Sequence, residues 1–530
     1  MVLMELPDFC LEILTRKLKK EGIDGRFAVT IVYFIFSRAV QDVIKNFDDE
    51  FPSKKGGKAY PRSMLLAIFL YCYKEGETSI SGMVKRCRYD RILRILTCGT
   101  NPSYSTLKRF QKDCNKKAFK KIFIYTLVEL NDLDLLKFLH LFIDGTDAII
   151  RGSKHYKITR DELKALKLLK KYKLLSKSNN TFSKNWEKKI NRKIDGNADE
   201  KEVKLLKIAL KNPSKFTRLM GREIQVFEEA FEKTDKDFLC VIFPQAAMMP
   251  TKKGGYDFAF NLQQIMNEHH IALGTILLNK PNDYHTLEDV ILDLKENFQI
   301  LTEMVQKYGH RNNLKEIPRL LNEAIFIMDS GYFSDYNLEK AYEHEIKALI
   351  MPKNKAIEQK QEYRKRKGII TTEENEKSIT KKDFKREKKS YKCPYGEKVV
   401  LEEVKEINSI NNKGKDIPEP LIKKAFVHVC YSCSECPLKE KCIGDKDFKI
   451  IIDKVSSLSY EMSDKFTNQK YLKIYSPRFQ VSESINGFLK TQNGVLLLSG
   501  SDENEISNEI HLKNTVYNLT RIVNLKGTLY

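Results

Sequence analysis

At 530 residues and 42% hydrophobic content, the chain is long enough for two to four structural units and too apolar for global disorder. Lysine and arginine number 93 against 71 acidic residues, a net charge of +22. On a normal core that surplus points to a polyanionic partner, nucleic acid foremost, unless it only solvates a lysine-rich surface. Glu5 and Asp8 interrupt the first apolar stretch, unlike a signal peptide, and the longest apolar run, residues 64–73, falls well short of the roughly 20 residues a membrane span needs. A soluble, cytoplasmic protein with no membrane partner is expected, in which eleven cysteines argue for metal binding over disulfides.

Residues 1 to about 130 read as helical, with apolar spacing over 27–47, 63–73, 79–96 and 105–130. The last of these opens with Lys108 and Arg109 among apolar anchors, a basic face that suits a phosphate backbone or is simply solvated. In residues 137–150, Leu139, Leu141 and Ile143 alternate with His140 and Phe142, which predicts a strand. The strand is expected to end or bulge at Asp144, where Gly145 and Thr146 supply turn chemistry. A charged side chain on an apolar strand is costly unless it is paired or holds a cation. Residues 151 to about 240 are lysine-rich and helical, an insertion with a polar gap at 176–183.

From residue 255 the pattern becomes two strands around a turn at 267–270, a helix over 285–308 and a short strand, 324–328, ending on Asp329. A glycine turn (330–334), a helix to residue 345 and a strand at 347–351 follow. This is an α/β arrangement in which a hairpin leads into parallel strands. Residues 354–390 read as a mobile or helical linker, 478–498 as a helix or a helix running into a strand, and 506–525 as a terminal amphipathic helix.

Asp144 and Asp329 each close an apolar strand before a glycine, and in α/β sheets such strand ends converge on one crevice. Two carboxylates there stay ionised at neutral pH only by sharing a cation, and all-oxygen ligation suits Mg²⁺ or Mn²⁺. A third acid from a helix, Glu483, completes a site for two ions that activates water or a 3′-hydroxyl for in-line phosphoryl displacement. Asp147 reads as a turn residue, Asp335 as a first-turn helix acid, and Asp283 as a lesser candidate for the site. Five late cysteines, Cys393, Cys430, Cys433, Cys436 and Cys442, sit at spacings that suit a tetrahedral Zn²⁺ site needing four of them. Reduced core thiols are the plain alternative. The other six cysteines read as core, and His428 is a weak substitute ligand.

The segments IDGTDAI, LNKPND, FIMDSGYFSDYNLE and YSPRFQVSESINGFLK resemble bacterial insertion-sequence transposases of the DDE type. The resemblance implies an α/β, ribonuclease-H-like catalytic core with an all-α N-terminal domain and two insertions. The expected division is a helical DNA-binding domain (1–130), the first part of the core (131–353, with the helical insertion at about 151–240), a lysine-rich linker and cysteine insertion (354–470), and closing helices (471–530). It makes Asp144, Asp329 and Glu483 the catalytic ligands of two Mg²⁺ (or Mn²⁺) ions. Tyr475, Arg478 and Lys490 become contacts to DNA, with Lys108 and Arg109 in the N-terminal region. It favours Cys393, Cys433, Cys436 and Cys442 for zinc, leaving Cys430 spare.

The implied activity is cleavage of element ends in double-stranded DNA and 3′-hydroxyl strand transfer into target DNA, by a homodimer. An inactive or domesticated DNA-binding protein and an endonuclease without strand transfer are the alternatives. The chain departs from the family pattern in four places. Four residues separate Arg478 from Glu483, Asn486 stands where phenylalanine is usual, the segment at 243–248 lacks its acid, and the insertion at 151–240 is long and basic.

Overall fold

The computed structural model describes residues 25–50, 60–113, 116–150, 157–172, 186–196, 199–219, 224–233, 236–250, 255–309, 321–366, 379–408, 419–490, 496–498 and 503–526, with Arg16 and Gly500. The reading of the first fifteen residues and the polar gap at 176–183 therefore lie outside the described residues.

The helical N-terminal region breaks where the sequence pattern looked continuous. The first pattern is two helices, α1 (Arg26–Phe36) and α2 (Arg38–Glu50), bent by 61° at Ser37. After α3 (Arg62–Lys74), the second splits into α4 (Ile80–Tyr89) and α5 (Arg91–Leu96) at Asp90. Asp90 ends one helix in extended backbone and caps the next by accepting the Leu93 N–H. The third pattern becomes α6 (Tyr104–Asp113) and α7 (Lys116–Asp132). Among the described residues no single helix is long and apolar enough to cross a membrane; α1 and α2 reach that composition only as a bent pair. Phe34, Phe69 and Phe123 of these helices share one continuous core with Leu141 and Phe326 of the sheet.

Strand β1 (His140–Ile150) corrects the expected turn, because it runs straight through Asp144, Gly145 and Thr146. Its pairing with a neighbouring strand is unbroken from Leu141 to Ile149, so ladder hydrogen bonds override local turn propensity. Asp147 is accordingly a mid-strand residue rather than a turn residue. The basic insertion follows: β2 (Lys157–Thr159), α8 (Arg160–Lys171), α9 (Trp186–Asp195), α10 (Glu200–Lys211), α11 (Pro213–Leu219), α12 (Ile224–Glu232) and β3 (Phe238–Cys240). It has its own core of Leu166, Leu169, Leu206, Phe216 and Phe227. A capping box between Thr159 and Glu162 starts α8.

The main sheet adds β4 (Ala247–Pro250), β5 (Tyr256–Asn267), β6 (Ala272–Leu278), β7 (Ile325–Met328) and β8 (Lys347–Ile350), with α13 (Leu287–Tyr308) after β6 and α14 (Asp335–Glu343) between β7 and β8. Its central order is β6-β5-β1-β7-β8. Strand β5 is antiparallel to both β6 and β1, while β7 and β8 run parallel to β1. This is the hairpin-into-parallel arrangement expected from sequence.

Helix α15 (Lys353–Arg366) opens the second insertion, which contains a five-stranded antiparallel sheet that the linker reading did not anticipate. Its strands are β9 (Lys385–Glu387), β10 (Ser390–Lys392), β11 (Lys398–Asn408), β12 (Lys423–Cys430) and β13 (Lys449–Ser456), with a short α16 (Lys439–Cys442). Then come α17 (Ser457–Lys465), α18 (Gln469–Tyr475), α19 (Arg478–Leu489), and β14 (Leu496–Leu498) parallel to the end of β1.

The terminal helix α20 (Glu503–Lys526) is not amphipathic. Glu505, Asn508, Glu509, Asn514 and Asn518 are as buried as Leu512 and Leu519, because the helix touches α3 and α7 as well as β6. Two of its polar groups are answered by other elements: Glu505 by Lys108 of α6 at 2.6 Å, and Asn518 by Thr126 of α7 and both backbone groups of Ala272.

Candidate active site

Asp144 stands in the middle of β1, and Asp329 directly follows the last residue of β7. The parallel pairing of His140–Phe142 with Ile325–Ile327 draws these two carboxylates to the same place. Asp329 accepts the Gly331 N–H at 2.8 Å, which fixes the turn after β7. Helix α19 lies against β1 and β5 and contributes two more side chains. A single nitrogen of Arg478, Nη2, is 3.1 Å from Asp144 Oδ1 and 3.1 Å from Asp329 Oδ2. Asn486 Nδ2 donates to the other Asp144 oxygen at 3.0 Å.

The Asp144 carboxyl is pushed up to about 6: burial raises it most, Asp329 and Asp283 add to the rise, and Arg478 and the Asn486 bond oppose it. Burial would lower the Arg478 guanidinium, but Asp144, Tyr475 and Asp329 outweigh it and hold its pKa above the usual value.

Asp283 belongs to this cluster. Its Oδ1 accepts from Asn261 Nδ2 at 2.8 Å and Gln263 Nε2 at 2.7 Å, and Gln263 accepts the hydroxyl of the fully buried Tyr332. Burial raises the Asp283 carboxyl against those two bonds, helped by the charges of Asp329 and Asp147. The glycines serve close approach here. A Cβ on Gly145 would fall 2.6 Å from Asp283 Oδ1, and one on Gly331 would fall 2.9 Å from Asp329 Oδ1.

The structure brings Asp144, Asp329 and Arg478 together, and among the described residues Glu483 makes no hydrogen bond or ion pair with them. Glu483 is exposed on α19, one turn before Asn486. Tyr475 packs edge-on against Phe466 at 5.2 Å, and burial pushes its hydroxyl up to about 12, with Arg478 opposing. Lys490 is half-buried at the end of α19. Arg109 is exposed, whereas Lys108 turns inward to the buried Glu505 and takes a packing role the surface reading did not foresee. Asp335 begins α14 as expected and accepts from Ser459 at 3.1 Å.

Among the described residues no group of three or more His, Cys, Asp or Glu side chains is arranged to hold a metal ion. The Asp144–Asp329 pair nevertheless fits a hard cation. Both donors are carboxylate oxygens, and a guanidinium nitrogen already stands as the positive charge between them.

Cys393, Cys430, Cys433, Cys436 and Cys442 line one cavity of about 20 Å³, room for roughly one water-sized atom. Burial raises the Cys430 and Cys442 thiols. His428 is outside that cavity, bonded to Tyr460 at 2.9 Å. Cys72, Cys87 and Cys240 are core as expected, but Cys98 is exposed in the turn after α5; Cys10 and Cys114 lie outside the described residues.

Asn486, Asn261 and Gln263 were missed from sequence. The available signals were a three-residue step from Glu483 along a helix and a two-residue step along β5, both of which place side chains on a shared face.

The fold is a mixed α/β core in which two aspartates from neighbouring strands share one guanidinium, and comparison with known families gives its class. A model described as transposase DDE domain matches residues 248–519, just over half of the chain, and one described as transposase domain (DUF772) matches residues 25–113. The chain belongs to the DDE transposase family and is a DNA transposase. Membership implies DNA binding and the use of a divalent metal, generally Mg²⁺. No curated protein matches the chain. Asp144 lies between the two matched stretches, so its link to Asp329 rests on their shared contact with Arg478.

Proposed function

We propose that the chain cleaves the ends of an insertion sequence in a Mg²⁺-dependent reaction and joins the 3′-hydroxyl to target DNA, using a ribonuclease-H-like core. The observation that carries this reading is the single Arg478 nitrogen held by both Asp144 and Asp329. Two carboxylates from different strands that converge on one positive charge are the minimum grip for a catalytic cation. The order β6-β5-β1-β7-β8, with only β5 reversed, supports the core assignment.

In this reading Asp144, Asp329 and Glu483 hold two Mg²⁺ or Mn²⁺ ions. Bound metal supplies Lewis-acid polarisation of the scissile phosphate and a more acidic attacking hydroxyl. Arg478, released from the aspartates, pairs with a phosphate through its planar fork. Tyr475, Lys490 and Arg109 position the strand without reading its sequence. Asn261 and Gln263 hold the Asp283 carboxylate beside the pair. Two copies bridge the two element ends. The domain division is retained in the proposal: 1–130 for DNA binding, 131–353 and 471–530 for the core, 354–470 for the insertion. Zinc on Cys393, Cys433, Cys436 and Cys442 is part of the same proposal, supported by their common cavity and tested by elemental analysis of the purified chain.

The exposed Glu483, without a hydrogen bond or ion pair among the described residues, favours a second reading, a DNA-binding protein that does not cut. Nicking of a supercoiled plasmid carrying the native element borders separates the two. Wild type nicks in Mg²⁺ and yields joined products; Asp144→Asn, Asp329→Asn and Glu483→Gln each abolish nicking while DNA binding persists. Cleavage retained by any one variant removes that residue from the site. Nicking without joined products leaves an endonuclease, and no nicking by wild type leaves the binding protein.

A further inference from the structure

A basic groove of about 830 Å³ lies between the β9–β10 hairpin with β11 on one side and α17–α18 on the other. Six cations line it against two carboxylates, Glu387 and Asp464. Two of the six are committed elsewhere, Arg386 to Asp453 at 3.2 Å and Lys355 to Glu358 at 2.8 Å. The other four, Lys385, Lys388, Lys389 and Lys398, are exposed and have no ion pair among the described residues. Asp464 feels the charges of Lys389 and Lys388, but cations still outnumber carboxylates around the concavity, and a polyanion relieves the remaining repulsion.

The hairpin backbone gives an independent reason to look here. Glu387 pairs with Ser390, so Lys388 and Lys389 form a two-residue turn, and Lys388 adopts φ 50°. That left-handed conformation favours glycine or asparagine, and lysine occupies it at a cost. Strain held by an exposed side chain is a pointer to function. The Lys388 N–H is fastened to Thr467 Oγ1 at 3.2 Å, at the junction between α17 and α18. Phe466, on the groove wall, packs against Tyr475, whose hydroxyl feels the charges of Arg478, Asp329 and Asp144. One buried aromatic contact therefore links the groove wall to a neighbour of the carboxylate site.

We propose that this groove carries the phosphate backbone of the DNA strand leading into the Asp144–Asp329 site, with Lys385, Lys388, Lys389 and Lys398 as its contacts. The proposal rests on the reading of that site as one that cuts DNA. The test is fluorescence anisotropy of the full chain with a labelled single strand of the element end across a salt series. Wild type gives a linear fall of log K with log salt. Replacing all four lysines by glutamine makes that slope shallower by about 3, at roughly 0.7 per phosphate contact on a single strand. Replacing all four by arginine keeps it. Lys388→Gly separates contact from fold, because relieving the turn leaves the thermal midpoint unchanged or higher while the slope still falls by about 0.7. An unchanged slope in the glutamine variant, or in a folded Lys388→Gly, overturns the groove. A wild-type chain that fails to bind DNA at all overturns the functional reading itself, which is a distinguishable result.

Discussion

Replacing Arg478 by glutamine tests whether the guanidinium stands in for a cation. The side chain is 11% exposed, and its partners Asp144 and Asp329 are 19% and 39% exposed. Removing one partner of a fully buried pair costs about 3–5 kcal/mol. The Asp329 arm is more than a third exposed and screened by water, so it adds little. The Asp144 arm carries most of the effect, and the expected loss in EDTA is about 2–3 kcal/mol. Urea unfolding followed by circular dichroism reads it as a lower midpoint at constant slope.

In Mg²⁺ the gap between variant and wild type should narrow. A cation at a hundred times its dissociation constant adds about 2.7 kcal/mol to the variant. Wild type gains less, because the ion must first displace the guanidinium. A gap of the same size in EDTA and in Mg²⁺, or no gap in EDTA, would refute the idea that the two aspartates share a cation position.

Gly145→Ala should abolish nicking, because the new methyl group would enter Asp283 and Gln263 at 2.6 and 2.8 Å. It should also cost about 1–3 kcal/mol of stability by overpacking, where alanine ordinarily improves a strand by about 0.5–1 kcal/mol. A more stable, active variant would show that the glycine is dispensable. Asn518→Leu removes both bonds to Ala272 and the one to Thr126, and a loss of at least about 2 kcal/mol is expected from the groups left unsatisfied. A urea midpoint equal to wild type would show that α20 does not hold the helices to the sheet.

The second insertion should loosen in acid. Burial alone would raise the Asp453 carboxyl, but its bonds from Lys381 and Tyr391 and the charges of Lys381 and Arg386 hold it below the usual range. Its contribution is present above the unfolded value near 3.9 and is lost as pH falls through the lower folded value. Tyrosine near-ultraviolet dichroism of wild type against Asp453→Asn follows this. Identical acid transitions would dismiss the assignment.

Much of the architecture was legible in the sequence because the short core strands are near-continuous apolar runs bounded by turn residues, and the aspartates stand at or near the ends of such runs. Residues 255–351 form the elements in the expected order, since each is decided by its own side chains and near neighbours. Local propensity failed where another part of the chain supplied the energy. Gly145 and Thr146 look like a turn, yet unbroken pairing with β5 holds β1 straight through them. The terminal helix looks as if one face should meet water, yet helices and sheet enclose both faces and answer Asn518.

The site divides in the same way. The sequence presented Asp144, Asp329 and Glu483 as one site, with Arg478 a contact to DNA by resemblance, because each stands in a recognisable local segment. Only the folded arrangement decided that one guanidinium nitrogen serves both aspartates, that Asn486 reaches Asp144 while Glu483 faces solvent, and that Asp283 is held beside them. Those outcomes depend on distances between residues hundreds of positions apart, and hydrogen bonds and charges act over distance in space rather than over separation along the chain.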